Sequence, residues 1–569
     1  MIILGIHKGH DSSAALIIDG QIIADVSEER FSRIKHHAGL PFYSVDYCLA
    51  AAGITMEDVD VVAIATRFST PEFNLLFDID PIDPRLQAPS WKRRVKSTIE
   101  NFAGVVDERL PLYFKSFPLG KKTRLVNIEH HLAHAAAAYF TSNNPDKQLI
   151  LSMDGLGDGF STSIYRGEKG HLQLLHRMGP DASLGWFYGN VTEALGWWHG
   201  DGEGKTMGLA PYGDPTKAYD ALEQFYPKFS NGELVAPHDF GRPHSIIDKG
   251  AIHWHLDDVE KIQEILSLHS PKNLAAAAQK ILEEQVMNIA WPWMEKERTA
   301  NLTCAGGVFM NVKLNQRIWE SGKVAKHWIY PNAGDSGLAV GAALQVYHEA
   351  YPNAEIGGLE HLYHGPEFGN EEIETMLKAR HLAYRRVDDP SVVAAELLAK
   401  NRIVAWFQGR MESGPRALGN RSILVSANRA ENKDILNARV KFREGFRPFC
   451  PSLLWEKKGD YLENERDEFF MITSFTCKPE KRSRVPAVVH ADGTLRPQTV
   501  KSEFNPKFHA LISEFGRLTG EYMILNTSLN VMGEPVVLHP REAIRCFYDS
   551  GIDALLIGNF LLEKPVLGT

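Results

Sequence analysis

The chain has little cysteine, no long apolar run and no excess of basic residues, and each shortage removes a class of protein. Five cysteines in 569 residues (Cys48, Cys304, Cys450, Cys477, Cys546) form no C-x-x-C pair, so neither a disulfide framework nor a zinc ribbon is expected. A reducing cytoplasm suits them, and cytoplasmic is the expected localisation. No stretch approaches a membrane span, and Met1-Ile2-Ile3-Leu4-Gly5 reads as a strand instead of a leader, so no membrane partner is expected. Lysine and arginine number 62 against 71 acids, a net charge of -9, which argues against nucleic acid as a partner. What is plentiful is apolar content, 44% of residues, enough for buried cores across several domain-sized units.

Within Glu129-His130-His131-Leu132-Ala133-His134, His130 and His134 are four apart. On a helix their imidazoles share one face and can grip one metal, with carboxylates from elsewhere, such as the glycine-flanked Asp154 and Asp335, completing the shell. The same pair also arises by accident on helix surfaces. A zincin motif is excluded, because His131 stands where the general-base glutamate belongs. Gly204-Lys205-Thr206 resembles the end of a Walker A loop, but the first glycine of that motif falls at His199, which excludes a P-loop.

The chain also repeats itself. A buried strand at 2–6, the polar loop His7-Lys8-Gly9-His10-Asp11-Ser12, and strands at Ala14–Ile18 and Ile22–Val26 around Asp19-Gly20 recur near residue 150. There the strand Leu149–Met153 precedes a loop at Asp154–Gly159, then strands at Ser161–Tyr165 and Leu172–His176. Two unrelated hairpins would give the same pattern; a duplicated actin-like ATPase fold would give it with two glycine-rich loops facing a nucleotide. Leu302–Val308 ends in Gly306-Gly307 before a helix expected from about Phe309 to Glu320, so the glycines could lie against adenosine with Asn311 reading its edge. Asp335 precedes an apolar helix, Leu338–Tyr347, and suits either a cap or the metal site.

Pro352–Gly369 reads as a connection and Asn370–Ala379 as an amphipathic helix. Between Asn401 and Cys450 ten Lys/Arg face four Asp/Glu, a balance of +6 in an acidic chain. Arginines interleaved with glycine, proline and aromatics suit a loop-built pocket for phosphate groups, though a solvated basic face is the ordinary outcome of such a run. No RNP or KH pattern accompanies them. Trp186, Trp197 and Trp198, with Phe187 and Tyr188, either pack together or offer rings to a sugar-like substrate.

Gly9-His10-Asp11-Ser12-Ser13-Ala14-Ala15-Leu16, Glu28–His36, His130–His134, Glu203–Ala210, Ser413-Gly414-Pro415-Arg416-Ala417-Leu418-Gly419 and Asn526-Thr527-Ser528-Leu529-Asn530 together closely resemble the O-carbamoyltransferases of nodulation-factor and antibiotic biosynthesis, the NodU type, over nearly the whole chain. The resemblance implies an α/β protein: a duplicated actin-like, threonylcarbamoyltransferase-like domain at 1–365 and a YrdC-like domain at 366–569. It implies that the second domain makes carbamoyl-adenylate from carbamoyl phosphate and ATP with Mg(II), and that the first transfers the carbamoyl group to a small-molecule hydroxyl acceptor. By the same resemblance His130, His134, Asp154 and Asp335 hold Fe(II), where the donor set alone leaves iron and zinc open. Lys35 and Lys205 lie near the nucleotide, with Gly306, Gly307 and Asn311 on the adenosine. His10 is the candidate base, with a structural loop cap as its other reading. Arg416, Lys441, Arg447 and Arg496 surround carbamoyl phosphate and ATP, and Asn526, Ser528 and Asn530 face the carbamoyl amide. A threonylcarbamoyl-type transferase acting on tRNA adenine is the alternative, disfavoured by the acidic balance; a sugar kinase would explain the first domain alone. A homodimer is left open.

Overall fold

The computed structural model describes residues 1–67, 76–77, 116–248 and 251–564. Their contacts divide the chain into two compact units, Met1–Leu359 and Glu360–Thr569.

The first unit is the same five-stranded sheet built twice. Ile2–His7 (β1), Ser13–Ile18 (β2), Gln21–Ser27 (β3), Val61–Ile64 (β4) and Arg124–Asn127 (β5) lie in the order β3-β2-β1-β4-β5, with β1, β2 and β3 antiparallel and β1, β4 and β5 parallel. Gln148–Gly157 (β6), Phe160–Glu168 (β7) and His171–Met178 (β8) open the second copy. Two hairpins intervene, Lys228–Ser230 (β9) with Glu233–Ala236 (β10) and His244–Asp248 (β11) with Ala251–His255 (β12). Asn301–Ala305 (β13) and Lys326–Ile329 (β14) then complete the order β8-β7-β6-β13-β14 with the same strand directions. This duplication is the actin-like ATPase architecture. The first turn follows from its residues: Asp19 and Gly20 both take positive φ, 48° and 83°, as a two-residue hairpin turn that matches strand twist demands.

Helix α1 (Phe42–Ala52) closes one face of the first sheet with Phe42, Val45, Cys48 and Leu49 against Leu4, Ile6 and Leu16. Each copy ends in a helix after its fifth strand: α2 (His130–Phe140) after β5, and α4 (Leu338–Ala350) after β14, with α3 (Val312–Glu320) between β13 and β14. Helices α2 and α4 touch through small residues. A Cβ at Gly341 would stand 1.9 Å from the carbonyl oxygen of Ala133, so the backbones meet only because position 341 has no side chain.

Two local expectations differ from the structure. The segment Asp154–Gly159 is not all loop: β6 continues to Gly157, with its register against β7 broken after Met153. The helix expected from about Phe309 is a 3₁₀ turn, Gly307–Met310, followed by α3, because the Asn311 side chain caps the Leu314 amide and starts the α-helix anew.

The second unit opens with helices α5 (Asn370–Ala379) and α6 (Pro390–Ala399) and is built on one mixed sheet. Its strands are Arg385–Arg386 (β15), Val404–Phe407 (β16), Arg421–Ser426 (β17), Cys450–Leu454 (β18), Gln498–Val500 (β21), Met523–Ser528 (β22), Ala554–Ile557 (β23) and Phe560–Glu563 (β24), with a small hairpin of Phe475–Thr476 (β19) and Thr494–Leu495 (β20) apart. They run in the order β15-β24-β23-β16-β17-β22-β18-β21. Leu398 of α6 and Phe508, Leu511 and Phe515 of α8 (Pro506–Thr519) form its core with Trp406, Leu424 and Ile524; α7 (Glu431–Leu436) lies between β17 and β18 in sequence.

Candidate functional site

The duplicated sheet brings four ligand-type side chains to one point. His130 and His134 come from the start of α2, Asp154 from β6 just past its register break, and Asp335 from the turn ahead of α4. His130 Nε2 lies 3.5 Å from Asp154 Oδ2 and 3.6 Å from Asp335 Oδ1; His134 Nε2 lies 3.1 and 3.5 Å from the same atoms. Bonds of about 2.1 Å to a central tetrahedral ion give donor–donor edges of about 3.4 Å, so these four separations fit one metal. His130 and His134 are buried, while the two acids keep partial exposure. A Cβ at Gly157 would fall 2.0 Å from the His130 ring, so glycine there makes room for the ligand. Burial resists protonation of His130, yet Asp335 and Asp154 raise its pKa to about 9; burial likewise opposes His134, which the same two acids raise. Burial would raise Asp154, but the two histidines hold it well below the carboxylate range. Two acids thus await a positive charge, supplied by protons or by a metal.

The helix start is held by acids outside this cluster. Glu129 accepts from the amides of His131 and Leu132 and pairs with Arg177 at 2.8 Å, and Asp158 accepts from the His130 amide at 3.0 Å. His131 faces away from the cluster, its Nε2 3.0 Å from the carbonyl of Phe160. His7, at the end of β1, approaches Asp335 at 3.7 Å.

The second unit gathers cations. Arg416 sits in a loop whose amides at Leu418, Asn420 and Arg421 all donate to Glu412 Oε1. A π-helical turn, Asn437–Lys441, ends at Phe442 with φ 47° and delivers Lys441 to the end of β22. Its ammonium donates to Ser528 O at 2.6 Å and to Asn530 Oδ1 at 2.7 Å. Burial lowers Lys441 to about 7, with Arg443 and Arg447 adding repulsion; burial and neighbouring arginines lower Arg416 and Arg443 to about 9. Arg496 donates to Cys450 Sγ at 2.8 Å, and Cys450 is the register partner of Asn526. Asn526 is buried; its Nδ2 donates to Ser452 Oγ at 2.9 Å, while its Oδ1 has no hydrogen-bond partner among the described residues. Crowded cations and an orphan amide oxygen suit a ligand bearing phosphate and an N–H.

The family description "Carbamoyltransferase N-terminus" matches residues 2–344 and "Carbamoyltransferase C-terminus" matches residues 395–564. The chain belongs to the carbamoyltransferase family. This carbamoyltransferase is 35% identical to nodulation protein NolNO of Sinorhizobium fredii over 98% of its own length and 79% of that protein. It is 28% identical to nodulation protein U of Rhizobium tropici over 94% and 91% of the two chains. Among solved structures it is similar to component A of the (R)-2-hydroxyglutaryl-CoA dehydratase of Acidaminococcus fermentans, at 14% identity and a TM-score of 0.33, over 62% of this chain and 99% of that one. Among the described residues no helix is long and apolar enough to cross a membrane.

Other sequence-derived candidates of the carbamoyltransferase take these places. Lys35 pairs with Asp201, and the Lys205 ammonium stands 5.8 Å from the Trp197 ring. Gly306, at φ 94°, lies so close to β6 that a Cβ would meet Met153 O at 2.1 Å, and a Cβ on Gly307 would crowd Asp154 Oδ1 at 2.9 Å. Asn311 caps α3 and exchanges hydrogen bonds with Gln279 at 2.9 and 3.0 Å, which engages the amide that the sequence reading gave to adenine. Arg447 lies 3.8 Å from Glu444. Trp186, Phe187 and Tyr188 are core residues, whereas Trp198 is exposed and stacks on His253. Two arginines of the basic stretch serve the fold: Arg421 is fully buried among backbone carbonyls and lies over Phe407, and Arg410 donates to the carbonyls of His364 and Gly365. Sequence reasoning missed Glu129 and Asp158 as supports of α2, and Arg443 among the cations. The signal for Arg443 was its place between Lys441 and Arg447.

Proposed function

We propose that this carbamoyltransferase is an ATP-dependent O-carbamoyltransferase with two active sites. In the second unit water adds to the carbonyl carbon of carbamoyl phosphate and phosphate leaves, giving carbamate; a carbamate oxygen attacks the α-phosphorus of ATP, and pyrophosphate leaves. The observation that carries this reading is the cation cluster of Arg416, Lys441, Arg443, Arg447 and Arg496, in which burial first and neighbouring arginines second lower the pKa of Arg416, Lys441 and Arg443, a cost that phosphate oxygens would relieve. Magnesium would accompany ATP as in other nucleotide chemistry. Carbamoyl-adenylate is then used in the first unit, where His10 takes the proton of an acceptor hydroxyl on a sugar-containing or other natural-product molecule. The hydroxyl oxygen bonds to the carbamoyl carbon and AMP leaves. His130, His134, Asp154 and Asp335 would hold iron(II), which supplies a positive charge for the adenylate phosphate.

The test is incubation with carbamoyl phosphate, ATP and Mg²⁺, following pyrophosphate and the mass of carbamoyl-adenylate. Pyrophosphate release that requires carbamoyl phosphate and is lost in Arg416→Ala is expected. ATP left intact, or cleaved to ADP irrespective of carbamoyl phosphate, would sink the reading.

A further inference from the structure

Apart from the metal-type cluster, the first unit holds a second set of titratable side chains, of which the reaction above uses His10 alone. Asp11 Oδ2 lies 2.9 Å from His10 Nδ1, and Asp11 Oδ1 lies 2.8 Å from His36 Nδ1. His36 Nε2 in turn lies 3.1 Å from Asp201 Oδ1, an oxygen that also pairs with Lys35. Base and acid therefore alternate along His10, Asp11, His36, Asp201 and Lys35. The rings of His10 and His36 stack, with centroids 5.0 Å apart and planes 15° from parallel. Asp11 and His36 both occupy the left-handed region, at φ 60° and 55°, which non-glycine residues adopt at a cost that the surroundings must offset. Short contacts held by two such backbones mark an arrangement that the fold maintains.

Resting on the carbamoyl-transfer reading, we propose that Asp11 is the positioning residue for His10. It accepts the Nδ1–H of His10, which leaves the Nε2 lone pair for the acceptor hydroxyl; His36, clamped between Asp11 and Asp201, fixes the carboxylate that does so. In the transfer step the hydroxyl proton passes to His10 Nε2 as the oxygen bonds to the carbamoyl carbon. The bond from that carbon to the adenylate oxygen breaks, AMP departs with its electron pair, and the imidazolium returns its proton to solvent. The logic is that of an acid holding a catalytic imidazole in one tautomer and stabilising its charged form. Burial opposes protonation of His10, but the charge and hydrogen bond of Asp11 carry its pKa above the ordinary value, with His36 opposing and Asp335 assisting. His199 feels the charge of His10, and His7 Nε2 lies 3.1 Å from the His10 carbonyl oxygen. Burial also opposes protonation of His36, yet Asp11 and Asp201 raise it to about 10, so it donates through both nitrogens at neutral pH.

The test uses Asp11→Asn and His36→Gln in the full chain. Asparagine tolerates the left-handed region, so Asp11→Asn removes charge without adding backbone strain. In histidine-labelled protein, nitrogen NMR is expected to find His10 as the Nδ1–H tautomer and its pKa lowered by about one unit or more in Asp11→Asn. With carbamoyl phosphate, ATP, Mg²⁺ and glycerol as the hydroxyl probe, kcat for carbamoyl-glycerol is expected to fall on the order of 10²- to 10⁴-fold. The rising limb of its pH profile moves to lower pH with little change in KM for glycerol, and His36→Gln, which removes the positive charge opposing His10 protonation, moves the limb to higher pH. An unmoved His10 pKa and pH limb, or a loss confined to KM, overturns the proposal. Should Asp11→Asn fail to fold, an unmoved limb in His36→Gln overturns it instead. If wild-type protein releases no pyrophosphate, the carbamoyl-transfer reading fails, and the NMR arm still decides the role of Asp11.

Discussion

Lys441 shows how a single residue records the ligand its surroundings were built for. An ammonium that is buried against Ser528 and Asn530, with Arg443 and Arg447 as neighbours, has its pKa lowered to about 7. An anion bound beside it reverses the repulsion and returns the pKa towards the ordinary lysine value of about 10.4. Above about pH 7 the free protein holds Lys441 partly neutral, so binding of Mg-ATP must take up a proton there; below that pH Lys441 already carries it. Calorimetric titration at about pH 8 in two buffers of different ionisation enthalpy should therefore give proton uptake approaching one per ATP, and Lys441→Met should abolish most of it. Equal heats in both buffers would place the ATP phosphates elsewhere. The sequence offered this residue as one of ten cations in a basic stretch. Charge counting alone could not separate it from Arg421, and only the family resemblance did; in the structure Arg421 is enclosed by backbone carbonyls and lies over Phe407, while Lys441 also meets the repulsion of Arg443 and Arg447.

At the scale of elements, the metal-type site depends on two helix starts being held at one distance. Helix α2 presents His130 and His134, α4 follows Asp335, and the two helices meet where Gly341 passes the Ala133 carbonyl. A methyl group at 341 would sit 1.9 Å from that oxygen, so Gly341→Ala must push the helices apart. A cost of about 1–3 kcal/mol is expected, together with a loss of bound iron measured by metal analysis after anaerobic loading. Gly357→Ala, where a Cβ meets nothing within 4 Å, is the control expected to change neither. Much of this level was legible in the sequence. The hairpins of β1–β3 and β6–β8 and the helix at Asn370–Ala379 announced themselves by alternation, turn residues and amphipathic spacing. The partners of β6 were less so: β13 begins more than a hundred residues later, and no local pattern encodes a parallel pairing across such an insertion. The same limit hid Asp201, whose contact with His36 joins positions 165 apart.

For the whole molecule, the decisive feature is that each compact unit has its own apolar core and its own charge problem. The core around Leu4, Leu16, Val62 and Phe77 belongs to the unit with the His130–Asp335 cluster, and the core around Trp406, Phe508 and Ile524 belongs to the unit with the crowded arginines. One unit has acids awaiting a cation; the other has cations awaiting an anion. A ligand that binds only the folded state stabilises it by about 2.7 kcal/mol at a hundredfold excess over Kd. Scanning calorimetry of the full chain should thus resolve two transitions. Iron(II) should raise the transition of the first unit and a chelator should lower it, whereas Mg-ATP with carbamoyl phosphate should raise the transition of the second. In His134→Ala the response to iron and chelator should vanish while the response to ATP remains, because the substituted imidazole lies outside the unit proposed to bind ATP. A single transition that both ligands raise would mean that the two units unfold as one; His134→Ala should still lose the iron response alone, and a variant that kept it would put the metal elsewhere.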